Sequence, residues 1–288
     1  MMLLPYPQGS QEWLDARAGV TTASRFAEAR QMVGGLTEQQ AVYVNAMQAG
    51  RGETAAMAEA GYKAKPRAEA ITKALAGQPI MEPGQAAIKY GWLIAMERVA
   101  GKPLDDTFVT WQMRRGQELE PEARIAYELR TDALVEECGL LVTDDRLFGY
   151  STDGFVGDDG RVEIKCPSAC DKLGEIWSHP ETAEAEYIDQ IRGGLWLTGR
   201  KWCDLVVYCP WLASVGKDLF IKRIERNEDD IEALETDLMR FERMVQGYLA
   251  VLQGVPADKA PPWAKSAPAV AAPPAARPAS TLIPEPSF

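Results

Sequence analysis

Three residues that could perform hydrolysis lie close together in the stretch STDGFVGDDGRVEIKCPSA, residues 151–169. Asp153 precedes a glycine, and ten positions later Glu163 and Lys165 flank Ile164. Because alternate residues of a strand share one face, Glu163 and Lys165 are predicted to point the same way, and Ile164 into the core. The turn DDGR would bring Asp153 close to this strand, so that two carboxylates and one amine would meet at one sheet edge.

This combination of side chains predicts metal-assisted chemistry on a phosphate. Two carboxylates supply the oxygen ligands that a hard divalent cation such as Mg²⁺ prefers. A bound cation stabilises the charge that develops on a phosphate and lowers the pKa of a bound water, while a lysine can orient or deprotonate that water. Spacing alone allows an alternative, a solvated hairpin with a surface salt bridge.

The bulk composition is that of a globular protein. The chain has 288 residues, of which 46% are hydrophobic and 25% charged, enough for one large domain or two small ones. We expect no membrane span and no signal peptide, and therefore a cytoplasmic protein. A net charge of −11 disfavours nonspecific coating of nucleic acid. It allows a nuclease whose acids hold metal ions and whose cations are concentrated in one groove.

The cysteines predict reduced, partly buried thiols. Their number is odd, they contain no C-x-x-C pair, and the chain has a single histidine, His179. These features disfavour a disulfide framework and a zinc or iron–sulfur site. The five residues are Cys138, Cys166, Cys170, Cys203 and Cys209.

The elements that must position the acids and the lysine divide the chain into four parts. Residues 1–35 and 84–254 are predicted to form one core, in which helices, antiparallel-looking strands and further helices favour an α/β sheet flanked by helices. Within 1–35, the hydroxyls of TTAS are predicted to cap a helix that Gly-Gly ends. Residues 255–288, rich in Ala and Pro, are predicted to be a disordered tail.

Residues 36–83 are predicted to form a small all-α unit inserted in this core. Its first helix has a threonine N-cap, and its third lies between Pro66 and Gly77.

Four blocks of sequence resemble the phage lambda exonuclease family, the YqaJ-type viral recombinases of the PD-(D/E)xK nuclease superfamily. In chain order they are EWLDARAGVTTAS, RRGQELEPEARIAYE, STDGFVGDDGRVEIKCPSA and YIDQIRGGLWLTGRKWCDLVVY. Thr152 stands where the superfamily name has proline. The resemblance implies a restriction-endonuclease-like core with a mixed central sheet.

The resemblance also implies metal ligands and a catalytic lysine. Asp153 and Glu163 match the metal-binding carboxylates, with the carbonyl of Ile164 as a further ligand. Lys165 matches the lysine that activates water. Glu120 matches the helix glutamate at the second metal position, in preference to its neighbours Glu118 and Glu122.

Further residues match a positioning glutamine and a phosphate pocket. Gln190 corresponds to the motif glutamine beside the active site, and Tyr187, one turn earlier, is either a packing or a contact residue. Arg17 and Ser24 match residues that hold a terminal 5′-phosphate, and Ser151 could assist. Whether Asp144 or Asp145 joins the site stays open.

The implied reaction is hydrolysis of linear double-stranded DNA from the 5′ end. It would release 5′-mononucleotides and leave 3′ overhangs for phage-type recombination with a single-strand annealing protein. The implied cofactors are two Mg²⁺ ions, or Mn²⁺, in each active site. The family also forms a trimeric ring around DNA, which would reconcile a net charge of −11 with this substrate.

The inserted unit resembles the helix-turn-helix of phage terminase small subunits. We expect its cations to contact phosphates, or else the unit to pack on the core or on a neighbouring subunit. These cations are Arg51, Lys63, Lys65, Arg67 and Lys73.

Two other functions are compatible with parts of the sequence. One is a non-enzymatic DNA-binding module that uses the insert. The other is an iron–sulfur nuclease of the Cas4 or AddB kind. Such nucleases need four cysteines around the core, and here Cys166 and Cys170 lie too near Lys165 to serve as two of them.

Overall fold

The computed structural model describes residues 1–104 and 111–255. Its helices are α1 (Gln11–Arg17), α2 (Phe26–Ala29), α3 (Glu38–Gln48), α4 (Glu53–Glu59), α5 (Glu69–Leu75), α6 (Gln85–Ala100), α7 (Trp111–Thr131), α8 (Cys170–Ser178), α9 (Ile188–Thr198) and α10 (Glu228–Leu252). Its strands are β1 (Met2–Leu4), β2 (Thr21–Thr22), β3 (Met32–Gly34), β4 (Met81–Pro83), β5 (Val135–Glu136), β6 (Leu140–Val142), β7 (Phe148–Ser151), β8 (Gly154–Val156), β9 (Gly160–Lys165), β10 (Trp202–Tyr208) and β11 (Leu219–Glu225). Short 3-10 helices cover Ala23–Arg25, Pro180–Thr182 and Pro210–Val215.

A five-stranded mixed sheet forms the centre of the molecule, in the order β11-β10-β9-β8-β5. Strands β9 and β10 run parallel, and the other neighbours are antiparallel. Helix α7 packs on the face that carries Val162 and Ile164, whereas α8 and α9 cover the face that carries Leu205 and Val207. The prediction of a mixed sheet between helices is confirmed.

A second sheet of four strands, β1-β6-β7-β2, connects the start of the chain to the central hairpin. Strand β2 pairs in parallel with β7, so Thr21 lies opposite Phe148. An aromatic cluster that includes Phe26, Phe148 and Tyr248 joins this sheet to α6, α9 and α10. This packing brings the first sequence block beside Ser151, the last residue of β7.

The predicted insert has its own small core. Tyr43, Ala56 and Ile71, from α3, α4 and α5, are buried in one cluster. Thr37 caps α3 through a reciprocal pair of hydrogen bonds with Gln40, as its sequence predicts. Strands β3 and β4 pair at the base of the unit, so both of its ends leave the core side by side.

Three local predictions differ from the structure. Thr21 and Thr22 form β2 and cap no helix through their side chains, and α2 ends at Ala29, before β3. The run LVEECGLLVT, residues 134–143, is typical of one strand, but it forms two strands, β5 and β6, in different sheets. Helix α8 was not predicted, because it has nine residues and no polar N-cap. The predicted tail lies outside the described residues, apart from Val255.

Candidate active site

The two acids and the lysine meet at the carboxyl end of β9. Asp153 Oδ2 accepts a hydrogen bond of 2.6 Å from the backbone N–H of Ile164. Lys165 Nζ lies 2.8 Å from Glu163 Oε1, so these two side chains share one face of the strand. This hydrogen bond and this ion pair hold both carboxylates and the amine at one edge of the central sheet.

A network of buried hydrogen bonds holds the carboxylate of Glu163 in place. Its side chain is 1% exposed, and its Oε2 accepts hydrogen bonds from the Tyr150 hydroxyl at 2.9 Å and Arg161 Nη1 at 3.1 Å. Arg161 is fully buried and also donates to the carbonyl of Ile191 in α9 at 3.2 Å. Sequence reasoning missed Arg161 and Tyr150. The alternation of Arg161, Glu163 and Lys165 along one strand was the available signal.

Close packing of α9 against this guanidinium predicts a large effect of a small substitution. A Cβ at Gly194 would lie 2.5 Å from Arg161 Cζ. Because Arg161 is buried and hydrogen-bonded, it cannot move aside freely. We expect Gly194→Ala to destabilise the protein by about 1–3 kcal/mol in urea unfolding.

Gly174→Ala provides the matched control for this substitution. Gly174 lies on the exposed face of α8, and nothing is within 4 Å of its added Cβ. That variant should be more stable by up to about 1 kcal/mol, since alanine favours a helix. Similar losses of stability in both variants would contradict the close contact at Arg161.

Two residues at the start of α9 contact the amine of Lys165: Tyr187, which directly precedes the helix, and Gln190, in its first turn. Lys165 Nζ donates to Gln190 Oε1 at 3.0 Å and lies 5.4 Å from the centroid of the Tyr187 ring. Burial lowers the pKa of Lys165, but the carboxylates of Glu163 and Asp153 outweigh it and raise the pKa above its usual value. Without a bound cation, Lys165 is therefore an ammonium group that forms an ion pair with Glu163 and donates to Gln190.

The carboxyl group of Asp153 has an unfavourable environment for its charge. Burial, followed by the nearby charge of Glu163, raises its pKa to about 8. Glu120 also lies on the wall of this cleft, but its carboxylate pairs with Arg124 at 2.9 Å. Accordingly, residues 1–104 and 111–255 contain no preformed group of three or more Asp, Glu, His or Cys side chains suited to a metal ion.

A second polar cluster lies in the same cleft. Arg17 Nη2 donates to Thr22 Oγ1 at 3.3 Å, and Ser24 Oγ lies 3.4 Å from that hydroxyl. Trp13 joins this cluster to the hairpin, since Arg17 Cζ lies 4.2 Å from its ring centroid and its indole N–H donates to Ser151 Oγ at 2.8 Å. Sequence reasoning found Arg17, Ser24 and Ser151 but gave Thr22 only a capping role.

One cleft of about 1070 Å³ contains both clusters. Its walls carry four cationic and five acidic side chains, so the cations do not outnumber the acids among these residues. The cations are Arg17, Arg25, Lys165 and Lys172, and the acids are Glu97, Glu120, Asp153, Glu163 and Glu186. Asp144 and Asp145 lie in the turn between β6 and β7 and are not among the residues that line it.

The cations of the insert are distributed over its surface. Arg51 pairs with Glu59, Lys65 with Glu53, and Lys73 with Glu69 and Glu82. Lys63 and Arg67 are exposed, in the segment of residues 60–68 that joins α4 to α5. Such a segment is longer than the turn of about 3–4 residues in a helix-turn-helix. Contact of the insert with DNA therefore stays a prediction.

All five cysteines are free, and Cys203 and Cys209 are buried. Burial raises the pKa of Cys166 to about 12, which keeps it a neutral thiol. An iron–sulfur cluster needs several thiolates close together, and the described residues contain no such group.

The fold and the site together define a nuclease of the PD-(D/E)xK class. The chain belongs to the YqaJ-like viral recombinase domain family, whose model matches residues 12–201. No curated protein sequence matches the chain. No helix in the two described ranges is long and apolar enough to cross a membrane.

Three solved structures that resemble this chain are exonucleases. The alkaline exonuclease LHK-Exo from Laribacter hongkongensis is 27% identical, with a TM-score of 0.61 over 87% of this chain and 100% of its own. Its complex with dAMP has 28% identity and a TM-score of 0.58 over the same shares. A phage-related exonuclease from Haemophilus somnus 129PT shares the fold at 12% identity, with a TM-score of 0.52 over 82% of this chain and 95% of its own. Family and fold identify this chain as a nuclease of the exonuclease type.

Proposed function

We propose that this protein is a divalent-metal-dependent exodeoxyribonuclease that degrades linear double-stranded DNA from the 5′ end. It releases 5′-mononucleotides and leaves 3′ overhangs for recombination by single-strand annealing. The observation that carries the proposal is the shared cleft, in which a hydroxyl- and arginine-lined pocket adjoins the cluster of Asp153, Glu163 and Lys165. A terminal phosphate held at Arg17 would place the adjacent phosphodiester beside the acids and the lysine.

The residues of the cluster fit a hard divalent cation. The Asp153 and Glu163 carboxylates and the Ile164 carbonyl would hold it, and the raised pKa of Asp153 marks negative charge that a cation would offset. When bound, Mg²⁺ or Mn²⁺ would neutralise charge on the phosphate and lower the pKa of a bound water. For a second ion, Glu120 would supply Oε2, because Arg124 occupies Oε1.

The side chains around the cation site orient the reacting groups. Arg161 and Tyr150 occupy Glu163 Oε2, which leaves Oε1 turned to the lysine and the cleft. Gln190 fixes the lysine amine from the other side, so Lys165 can hold a water by hydrogen bonding and exchange a proton with it. Ser24 and Arg17 supply a hydroxyl and a guanidinium to the terminal phosphate.

The direct test uses linear duplex DNA labelled at one 5′ end or at one 3′ end, with and without Mg²⁺. Digestion from the 5′ end should release the 5′ label at once as a mononucleotide, while the 3′-labelled strand shortens progressively. Early release of the 3′ label, or digestion in EDTA, would contradict the direction or the metal requirement. The dAMP bound to the related LHK-Exo is a deoxynucleoside monophosphate, which supports this product class.

The phosphate pocket predicts a preference for phosphorylated ends. A hydrogen bond to a charged group contributes about 1.5–3 kcal/mol. We therefore expect duplexes with a 5′-phosphate to be digested roughly 10- to 100-fold faster than duplexes with a 5′-hydroxyl. Arg17→Ala should erase this difference. Initial rates on the two matched duplexes measure it.

Arg192→Ala is the control for the loss of an arginine. Arg192 pairs with Asp230 at 2.6 Å, away from the cleft, and its loss should preserve the preference. Equal rates of the unaltered protein on both ends would remove the role of Arg17.

Two partners complete the proposed function. Family membership supports a single-strand annealing protein that receives the 3′ overhang, and a homotrimeric ring that would retain DNA by enclosing it. Sedimentation equilibrium of the purified protein tests the ring directly, since a trimer has three times the chain mass of 31.7 kDa.

A further inference from the structure

Arg115, the residue before the cleft-lining Gly116, lies close to two exposed indole rings. Arg115 Cζ lies 4.1 Å from the centroid of the Trp211 ring and 5.9 Å from that of Trp111. The indole side chains are 61% and 64% exposed, whereas Arg115 is buried. We call Trp111, Arg115 and Trp211 the aromatic platform.

The exposure of these two rings distinguishes them from the other tryptophans. The remaining five tryptophans of the described chain are buried or half-buried: Trp13, Trp92, Trp177, Trp196 and Trp202. Trp211 is held in place by a guanidinium that is itself fixed, because Arg115 Nη1 donates to the carbonyl of Cys166 at 2.9 Å. The face of the indole that is turned away from Arg115 is thus a rigid apolar surface open to solvent.

Topology places this surface beside the catalytic residues. Strand β10 runs parallel to β9 with Val207 opposite Lys165, so both strands end at the same edge of the sheet. The 3-10 helix Pro210–Val215, which carries Trp211, begins just beyond that edge. Arg115 contacts Cys166, the residue after Lys165, and the next residue on α7, Gly116, lines the cleft.

We propose that the aromatic platform is a stacking site for an unpaired nucleobase of the DNA strand that adjoins the cleft. An indole face stacks on any of the four bases, so binding of this kind does not depend on the DNA sequence. Stacking is a common means by which proteins hold single strands. Arg114, the exposed residue that precedes Arg115 on α7, would provide positive charge for the phosphates of the same strand, while Arg115 stacks on the other face of Trp211. The proposal rests on the proposed function in one respect, because an exonuclease exposes unpaired bases at this cleft.

The test compares two fluorescein-labelled single strands of about 12 nucleotides, a length within the range that such proteins bind. One is oligothymidine, and the other carries abasic residues, so it keeps the phosphates and lacks the bases. Affinities are measured by fluorescence anisotropy in EDTA, where no cleavage occurs. The unaltered protein should bind oligothymidine more tightly, and Trp211→Leu should weaken that binding about tenfold while leaving the abasic strand unaffected.

Two further variants isolate the ring at position 211. Trp211→Phe retains an aromatic face and should keep most of the preference for oligothymidine. Trp202→Leu makes the same change in a similar pair at the opposite end of β10, where Arg223 Cζ lies 3.5 Å from the Trp202 ring centroid. That control should bind both strands as the unaltered protein does.

Three outcomes would overturn the proposal: an unchanged affinity of Trp211→Leu, an equal loss on both strands, or a change in its molecular mass by sedimentation. The last would show that the platform packs between copies of the chain. Because binding is measured without metal or cleavage, these outcomes are independent of the direction of digestion. A protein that digests from the wrong end could still prefer oligothymidine.

Discussion

Replacing Lys165 with alanine should lower DNA cleavage by at least about 100-fold, the effect expected when a positioned proton-transfer group is lost. The amine lies 2.8 Å from Glu163 Oε1 and 3.0 Å from Gln190 Oε1, so alanine removes the group at the centre of the cluster. The fold should persist, because Glu163 keeps its two donors, Tyr150 and Arg161. Affinity for duplex DNA, measured by anisotropy in EDTA, should be unchanged.

Lys201→Ala is the matched control for this variant. Lys201 is an exposed lysine whose Nζ lies 2.9 Å from Asp159, outside the cleft. Its loss should leave both cleavage and DNA binding as they are. Normal digestion by Lys165→Ala, or a parallel loss of DNA affinity, would show that the lysine does not act at the chemical step.

The local part of the site was predictable from the sequence. A period of two along a strand requires Glu163 and Lys165 to share a face, and the short hairpin requires Asp153 to lie near them. The backbone hydrogen bond from Ile164 to Asp153 and the ion pair of Lys165 with Glu163 agree with that geometry. These contacts join residues at most 11 positions apart.

The distant contacts could not be predicted from one sequence. The hydrogen bond from Trp13 to Ser151 joins residues 138 positions apart and depends on the pairing of β2 with β7. The buried Arg161 pairs with Glu163 on its own strand, but it also needs the Ile191 carbonyl in α9 as an acceptor and the room that Gly194 leaves. Likewise, residues 134–143 are divided between two sheets because β5 pairs with β8, whereas β6 pairs with β7 and with the distant β1.

Asp153→Asn should abolish cleavage and, unlike Lys165→Ala, should also abolish binding of the divalent cation. The amide keeps an oxygen that can accept the hydrogen bond from Ile164, so the hairpin should be preserved. A cation at 100 times its dissociation constant stabilises a protein by about 2.7 kcal/mol. Thermal unfolding with and without Mn²⁺ should show this gain in the unaltered protein and in Asp159→Asn, an exposed control, but not in Asp153→Asn.

The same substitution should raise the stability of the metal-free protein. Burial and the charge of Glu163 raise the pKa of Asp153 from 3.8 to about 8, so the folded state disfavours its charged form. The stability that a neutral Asp153 contributes is complete below pH 3.8 and is lost as the pH rises to about 8. Asp153→Asn stays neutral, so its advantage in melting temperature should grow over that interval in EDTA. If the melting temperatures of Asp153→Asn and the unaltered protein were equal at pH 8, the charge of Asp153 would not destabilise the folded state. If Mn²⁺ still stabilised Asp153→Asn, Asp153 would not be needed to hold the cation.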